Sequence, residues 1–345
     1  FEPATAGGWP TGRALVYSAE VAESAQVWAT INEGDRPMPL PPNRMDYSPI
    51  IDRPIIKWPN NARVAFWVAP NIEHYEYMPI LDGVRNPWPR TPHPDVQQYS
   101  SHEFGNRVGF WRLLEVLDRY DIKCSTTLSI GVLEHFPEIA EAMLKRDWIF
   151  VNHGFYNTRY VTTYSEEQER EFLHDCVENF KRLTGRQIKG HSGPAASNTE
   201  RTPDLLAEAG FLYQTDWKID DQPLPIKVKS GRLVCVPYTS ELNDAPLYRH
   251  NHEADYYAEI CKAQFDQLYE EGQESGRCMV IAVHPYATGR PHRTKYLDEV
   301  LSYIMSHDGV WQTTTDEIAE YYLANYYDQA IAHAAKVNVW PAGAD

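Results

Sequence analysis

The segment ARVAFWVAPNIEH, residues 62–74, decides the fold of this chain of 345 residues. Its first part is almost entirely apolar, which is typical of a strand buried on both faces of a parallel sheet. We expect the strand to end at Pro70, because proline has no N–H to donate to a sheet. Asn71, Glu73 and His74 follow at once. The segment therefore predicts a buried strand that leads directly into polar groups suited to catalysis.

Downstream of this strand, apolar runs alternate with segments of helical periodicity about seven times over residues 62 to 326. The best-marked helix, residues 165–185, begins with a Ser-x-x-Gln capping box and ends in a glycine. This alternation predicts parallel strands with crossover helices, in a barrel or an open doubly wound sheet. No GxGxxG follows the first strand and no GxxxxGKS/T occurs, which argues against a nucleotide-binding fold.

The composition indicates a globular protein and excludes two kinds of partner. Hydrophobic residues make up 43% of the chain and charged residues 23%, and the formal net charge is −16. Phosphate binding needs a basic surface, so a nucleic-acid partner is not expected. An anionic membrane surface is not expected either. The partner that the sequence predicts is a small molecule.

The cysteines and the first residues predict a cytoplasmic protein. Five cysteines are scattered without CxxC spacing, which favours buried thiols in a reducing compartment over a disulfide framework. The opening FEPATAGGWP has neither the basic region nor the apolar region of a signal peptide. No window approaches the roughly 18 apolar residues that a membrane-spanning helix needs.

The chain is expected to contain one catalytic domain with an extension at each end. Residues 1–60 are irregular, with proline clusters such as RPMPLPPNR, and we expect them to pack on the main domain or on a neighbouring subunit. The catalytic domain is predicted to span residues 61–328, and residues 329–345 to form a tail. The proline-rich extension favours a homo-oligomer.

Polar residues recur where the predicted strands end. Chemistry in a parallel barrel lies at the carboxyl ends of the strands. A single histidine there is usually a solvated turn residue, and a single asparagine is usually a turn former. The barrel topology, however, brings all these ends to one mouth, so we expect Glu73, His153 and His284 to share a functional site. The residues at the strand ends are Asn71, Glu73, His74, His153, Asn157, His191, Ser192, Asp216 and His284.

Four motifs resemble those of the polysaccharide deacetylase (NodB-homology) superfamily. VHPYATGRPHR, residues 283–293, matches the HPxxxGRPxR signature of the branch that includes allantoinases and cyclic imide hydrolases. HGFYN, residues 153–157, is similar to the second motif of the superfamily, HxxxH. Residues 190–211 and 213–223 resemble the third and fourth motifs. The resemblance covers roughly residues 62–320, and it implies a distorted (β/α) barrel of about seven parallel strands.

The motifs depart from the family pattern at the metal ligands. The first motif usually has two adjacent aspartates, where this chain has Glu73 and His74, and the second histidine of the metal pair is Asn157. The arginine of the third motif is also absent. The resemblance implies a divalent metal, with zinc as the first choice, held by His153 and Asn157 together with His74 or Glu73. The alternative is a metal-free site in which Asn157 orients the substrate.

The resemblance implies a hydrolase that acts on carbon–nitrogen bonds other than peptide bonds, with a small cyclic amide, imide or ureide as substrate. We expect Glu73 to be the general base, with its pKa raised by burial, and His284 the general acid. His153 would polarise the carbonyl or bind the water. Arg290 either binds a polar edge of the substrate or forms a structural contact. The expected substrate-binding residues are Asn71, His191, Ser192, Asp216, Trp217 and Arg290.

Two other functions stay open. One is a metal-dependent N-deacetylase of an N-acetylated sugar or oligosaccharide, and the other is a non-catalytic family member that binds a ligand. The long loop of residues 73–106, rich in aromatics and prolines, favours a small substrate because it could close over the mouth and exclude a polymer. The joint presence of Glu73, His153 and His284 favours an enzyme over a binder.

Overall fold

One sheet lies at the centre of the computed structural model, which describes residues 43–80 and 93–337. Across these residues its spatial order is β6-β7-β5-β4-β3-β2-β1-β8, with β9 beside β1. Every pairing is parallel except that between β6 and β7. The strands are β1 Val64–Ile72, β2 Ser125–Leu128, β3 Ile149–Asn152, β4 Gly190–His191, β5 Tyr213–Gln214, β6 Leu224–Ile226, β7 Leu233–Cys235, β8 Arg277–Val283 and β9 Val310–Gln312.

Helices connect the parallel strands, which confirms the predicted α/β distorted barrel. Gly105–Gly109 forms a π-helical turn between the first two helices. The helices are α1 Val96–Phe104, α2 Phe110–Arg119, α3 Gly131–His135, α4 Pro137–Lys145, α5 Glu166–Thr184, α6 Thr202–Glu208, α7 Asp244–Arg249, α8 Ala254–Glu271, α9 Thr294–Met305, α10 Thr315–Asn325 and α11 Tyr327–Val337.

Strand β1 does not end at Pro70, contrary to the prediction from the sequence. Residues Val64 to Pro70 pair with β8, and the last two residues, Asn71 and Ile72, pair with β2 on the other side. The carbonyl of Pro70 accepts a hydrogen bond from Thr126 Oγ1 at 2.6 Å. The strand continues because its last two residues pair with β2 instead of β8. The missing N–H of Pro70 does not prevent this change of partner.

Alternate residues of β1 pack into two apolar layers. Phe66 and Val68 face the helices that include α2 and α9, whereas Trp67 faces the inner side of the curled sheet with residues of β3 and α10. Side chains of a strand point to opposite faces in turn, so a strand that is apolar throughout is covered on both faces. Each fully buried large side chain contributes about 1.5–3 kcal/mol. Phe66→Ala would cost about 3–5 kcal/mol.

Helix α5 begins and ends as the sequence predicts. Ser165 Oγ accepts a hydrogen bond from the backbone N–H of Gln168, and Gln168 Oε1 accepts one from the N–H of Ser165. Gly185 ends the helix with a φ of 70°, which a residue without a Cβ adopts at low cost. The cap fixes the residue at which α5 begins. The loop between β3 and α5 contains His153 and Asn157.

The described part of the N-terminal segment packs on the domain that follows it. Trp58 is buried, and its Nε1 donates to the carbonyl of Arg277 at 2.9 Å. Arg53 forms an ion pair with Asp220. The prediction for the rest of the extension lies outside the described residues. At the other end, α11 continues to Val337, past the domain boundary predicted at residue 328.

The cysteines have the environment that the sequence predicts. All five are buried free thiols. Along the residues that the structure describes, no helix is both long and apolar enough to cross a membrane.

Candidate active site

A cavity of about 260 Å³ opens at the carboxyl ends of the strands. It receives Glu73 from the end of β1, His153 from the end of β3 and His284 from the end of β8. The structure thus brings together the three residues that the sequence analysis placed in one site. The residues lining the cavity include Asn71, Glu73, Tyr75, His153, Asn157, Ser192, Asp216, Lys218, Tyr238, Arg249, His284 and Tyr286.

Glu73 lies between the two histidines. Its Oε1 is 3.4 Å from His153 Nε2 and 3.5 Å from His284 Nε2, and all three side chains are buried. Its Oε2 accepts a hydrogen bond from the hydroxyl of Tyr75 at 3.1 Å. The backbone carbonyl of Glu73 accepts a bond from Asn106 Nδ2 at 3.0 Å, which fixes the chain beyond β1. The carboxylate therefore has a defined position in the middle of the site.

The pKa of Glu73 is lowered and not raised, so this part of the sequence prediction is wrong. Burial does oppose the charged form, but the charge of His284 and the close ring nitrogens of His284 and His153 outweigh it and hold the pKa well below its usual range. Glu73 is consequently an anion at neutral pH. A carboxylate with so low a pKa is a poor proton acceptor.

His284 is fixed by a buried aspartate, Asp244, which is the first residue of α7. His284 Nδ1 lies 2.6 Å from Asp244 Oδ1, and the backbone N–H of His284 donates to Asp244 Oδ2 at 2.8 Å. Thr288 Oγ1 donates to the same oxygen at 2.6 Å. These contacts orient the imidazole so that Nδ1 faces Asp244 and Nε2 faces the cavity.

The two carboxylates make His284 a cation at neutral pH. Burial lowers the pKa of His284, but the negative charges of Asp244 and Glu73 outweigh burial and raise it to about 10. The protonated ring therefore has one N–H directed at Asp244 and the other directed toward Glu73 and the cavity. That second N–H can donate a proton to a bound substrate.

His153 presents Nε2 to the cavity, 3.4 Å from Glu73 Oε1. Its Nδ1 lies 2.6 Å from the carbonyl oxygen of Ser192, and a carbonyl only accepts, so Nδ1 carries a hydrogen. Nε2 is buried without a hydrogen-bond partner in the structure. A buried polar atom without a partner is costly, and in an active site it marks a place for substrate or water. His153 thus offers Nε2 to the cavity as a proton acceptor.

Asn157 joins the site, whereas His74 does not. Asn157 Nδ2 donates to the hydroxyl of Tyr75, and its Oδ1 is buried without a partner. The ring of His74 instead packs against Phe136 and Tyr156, with Nδ1 at 3.5 Å from a carboxylate oxygen of Glu103. His74 is absent from the residues lining the cavity. The proposed ligand set of His74, His153 and Asn157 is therefore not supported by their positions.

The donor atoms at this place do not fit a three-ligand zinc site. Among residues 43–80 and 93–337, no three His, Cys, Asp or Glu side chains are grouped as a metal site. The Nδ1 of His284 is bound by Asp244, and its Nε2 faces Glu73 Oε1 at 3.5 Å. Asn157 offers only the neutral oxygen of an amide, which is a weak ligand for zinc.

Three of the predicted substrate-binding residues line the cavity: Asn71, Ser192 and Asp216. Asn71 Oδ1 accepts hydrogen bonds from the hydroxyls of Thr127 and Tyr238. The carboxylate of Asp216 accepts bonds from four donors, which are Ser192 Oγ, Gly193 N, Asn198 Nδ2 and Gln214 Nε2. Asp216 therefore holds the loop after β4 in place.

The other three predicted substrate-binding residues lie behind the cavity wall. His191 is buried beside Asn152, and burial lowers its pKa to about 4, so the ring is neutral. Trp217 Nε1 donates to Gln214 Oε1 at 3.2 Å. The guanidinium of Arg290 lies 3.7 Å from the centroid of the Phe104 ring, which places it in a structural contact, one of the two alternatives. These residues support the site without lining it.

No motif in the sequence marks Asp244 as a functional residue. It follows Asn243, whose side chain caps α7, and an acidic residue in the first turn of a helix is ordinary. Its importance comes from its contact with His284, which lies 40 positions away along the chain. Tyr238 and Tyr286 also line the cavity without a motif that marks them. These residues were missed because only the folded chain brings them to the site.

A second cleft, of about 490 Å³, lies beside the cavity and shares Lys218 and Tyr238 with it. Asp220, Asp221 and Glu241 line this cleft instead of the mouth around Glu73. The larger volume does not make it the better candidate, since Glu73, His153 and His284 are all absent from its lining. The acid–base groups lie in the smaller cavity.

Comparison with known proteins agrees with the resemblance to polysaccharide deacetylases. Residues 99–214 match the family model described as polysaccharide deacetylase. A Schizosaccharomyces pombe protein that carries the name of a polysaccharide deacetylase is 27% identical over 304 residues, covering 78% of this chain and 93% of the relative. The peptidoglycan deacetylase of Helicobacter pylori is 23% identical over 253 residues, covering 64% of this chain and 85% of the relative.

Solved structures share the fold. PuuE allantoinase superposes with a TM-score of 0.73 at 25% identity, covering 84% of this chain and 99% of the allantoinase chain. A probable polysaccharide deacetylase from Pseudomonas aeruginosa superposes with a TM-score of 0.70 at 26% identity, covering 80% and 96%. These similarities confirm the distorted barrel of the NodB type.

Proposed function

Because this chain belongs to the polysaccharide deacetylase (NodB-homology) family, we propose that it hydrolyses a carbon–nitrogen bond, other than a peptide bond, in a small cyclic amide, imide or ureide. One observation carries the proposal: Glu73 Oε1 lies within 3.5 Å of the Nε2 atoms of both His153 and His284 in one cavity. An anion between an acceptor nitrogen, His153 Nε2, and a cationic donor, His284, is an arrangement that supports acid–base hydrolysis of an amide.

The first step is attack of water on the carbonyl carbon. His153 Nε2 is the acceptor for the water proton, because its other nitrogen is held by the carbonyl of Ser192. Glu73 stays an anion, positions the water and stabilises the imidazolium that forms on His153. A C–O bond forms in this step, and the carbonyl becomes a tetrahedral oxyanion.

The second step breaks the C–N bond. His284 Nε2–H donates its proton to the leaving nitrogen, so the ring opens to an amine or amide and a carboxylic acid. His153 is then protonated and His284 neutral. Exchange with water in the cavity, which takes the proton from His153 and returns one to His284, restores the starting state while Glu73 stays an anion. All atoms of the water end in the products.

The size of the cavity favours a small ring over a polymer. Pockets that bury a drug-sized ligand measure about 300–1,000 Å³, and this cavity measures about 260 Å³. A ring of five or six atoms with its carbonyl oxygens fits such a space, but several sugar residues do not. The tyrosines Tyr75, Tyr238 and Tyr286 supply flat apolar walls for a ring.

A second candidate is removal of an acetyl group from an N-acetylated sugar. The H. pylori relative is a peptidoglycan deacetylase, and the second cleft beside the cavity offers room for flanking sugar units. The chemistry at Glu73, His153 and His284 would be the same, since both reactions cleave an amide.

The test is turnover of a panel by the purified protein. The panel contains succinimide, hydantoin, dihydrouracil, allantoin and N-acetylglucosamine oligomers, and ring opening or acetate release is measured. We expect hydrolysis of at least one ring compound and none of the oligomers. Acetate release without hydrolysis of any ring compound would overturn the first candidate and favour the second, the N-deacetylase. Tight binding without turnover of any compound would overturn both and indicate a ligand-binding protein.

A further inference from the structure

Two basic residues stand at the rim of the cavity without an ionic partner. Lys218 follows β5 and Arg249 ends α7, and both side chains are exposed and line the cavity. Within residues 43–80 and 93–337, neither has a carboxylate within ion-pair distance or a hydrogen bond to its charged group. Exposed arginines elsewhere on this surface, such as Arg119 and Arg182, do have carboxylate partners.

The acidic groups of the same cavity are already occupied. Asp216 accepts hydrogen bonds from four donors, three of them in the loop after β4 and one in β5. Glu73 lies against the cationic ring of His284. The positive charges of Lys218 and Arg249 are therefore left facing the cavity, in a chain whose formal net charge is −16. A local positive rim on an acidic protein selects for anions that enter there.

The rim lies within reach of the reacting groups. Asp244, which binds His284, is the first residue of α7, and Arg249 is the last. The rise of about 1.5 Å per helical residue places the two ends of this helix roughly 7.5 Å apart. The charge of Arg249 also acts on His102, whose ring stacks on Tyr75 in the cavity wall. A molecule the size of a substituted ring spans this distance.

We propose that the substrate carries a carboxylate, which Arg249 and Lys218 hold at the rim while the ring amide lies against Glu73, His153 and His284. This inference rests on the proposed function and narrows its substrate class. Arginine binds a carboxylate with two parallel hydrogen bonds, and lysine adds a point charge. The carboxylate at the rim would orient the ring, so that one of its carbonyls meets the acid–base groups.

The experiment compares rings that differ only by a carboxylate. The pairs are dihydrouracil with dihydroorotate, and hydantoin with hydantoin-5-acetate. We expect kcat/KM to be higher for the charged member of at least one pair by roughly tenfold, as for a charge-assisted hydrogen bond at a partly open site. Arg249→Met and Lys218→Met should each reduce this preference severalfold, mainly through KM.

A matched control is available in Lys295→Met. The ammonium group of Lys295 lies over the ring of Tyr296 at 4.6 Å, much as Lys218 lies over Tyr238 at 5.9 Å, but Lys295 is on α9, outside the cavity. This variant removes the same charge from the protein. It should keep the full preference, which separates a local contact from a general charge effect.

Calorimetric binding of dihydroorotate and hydantoin-5-acetate to the wild type, at low and high salt, gives a readout that does not need turnover. Binding that weakens with salt and in Arg249→Met supports the inference even if no ring is hydrolysed, in which case only the proposed function fails. Hydrolysis of the neutral rings without preference for either charged member overturns the inference and leaves the function standing. Absence of both binding and turnover overturns both.

Discussion

Asp244 Oδ1 lies 2.6 Å from His284 Nδ1, and the other oxygen of Asp244 accepts bonds from the backbone and hydroxyl of Thr288 and from the N–H of His284. The aspartate is fully buried. It acts on the reaction only through His284, so it is a positioning residue. Its charge keeps the imidazole protonated, and its fixed geometry directs the second N–H of the ring at the cavity.

The contact between Asp244 and His284 predicts how the reaction rate depends on pH. The pKa of His284 is raised to about 10 by Asp244 and Glu73 against the effect of burial. The donor form is present below this value and is lost as the pH rises through it. We expect kcat/KM to be high on the neutral side and to fall near pH 10 with loss of a proton. Asp244→Asn removes the largest favourable charge, so the fall should move to lower pH.

The pH profile distinguishes this role from a merely structural one. A variant that only loosened the fold would lower kcat/KM at every pH without moving the basic limb. Thermal unfolding of Asp244→Asn, measured alongside, checks that the protein is folded. A basic limb that stays where the wild type has it would show that Asp244 does not tune His284.

Removal of metal ions is expected to leave the activity intact. Among the described residues no three His, Cys, Asp or Glu side chains are grouped as a metal site, and His74 lies outside the cavity. Dialysis of the protein against a chelator should leave kcat/KM unchanged, and elemental analysis should find no stoichiometric zinc. Loss of activity that added zinc restores would contradict this prediction and return Asn157 and His153 to the role of ligands.

Close packing behind His284 predicts a large effect of one methyl group. Gly109, in the π-helical turn before α2, lies against Pro285, and a Cβ at position 109 would overlap the Pro285 carbonyl. Gly109→Ala should therefore lower the free energy of unfolding by about 1–3 kcal/mol, as overpacking does. It should also lower kcat/KM, because Pro285 directly follows His284.

Chemical denaturation and steady-state kinetics on the same preparation test this prediction. Glu115→Ala is the control, since Glu115 is exposed on α2 and its alanine variant only removes a surface side chain. It should unfold at the same denaturant concentration as the wild type or slightly above it. Equal free energies of unfolding for Gly109→Ala and the wild type would contradict the prediction, because they would show that the loop after β8 moves to accommodate the Cβ without loss of stability.

The fold was predictable because the apolar pattern is strong on both sides of each strand. Residues 62–74 predict β1, and the capping box at Ser165 predicts the start of α5. The end of β1 was placed too early, because a proline was taken to stop the strand, while the change of partner from β8 to β2 carries it on to Ile72. Pairing partners of this kind are set by the tertiary fold and not by local sequence.

The site was predictable where its residues follow strands and was not where they follow helices or loops. Glu73, His153 and His284 each come at a strand end, so the topology alone brings them together. Asp244 and Arg249 are on a short helix between β7 and β8, and their distance from the site cannot be derived from spacing. The pKa of Glu73 is lowered because His284 and His153 lie against its carboxylate, whereas burial alone would raise it.

The most direct test is kcat/KM of Glu73→Gln beside the wild type, on the best ring substrate of the panel. Glutamine keeps the shape of Glu73 but removes the anion that positions the water and lies against His153 and His284. We predict a loss of about 10²–10⁴-fold, because the two proton-transfer groups, His153 and His284, lose the anion between them, and circular dichroism should show that the variant is folded. Wild-type activity in this variant would contradict the claim that these three residues form the catalytic centre.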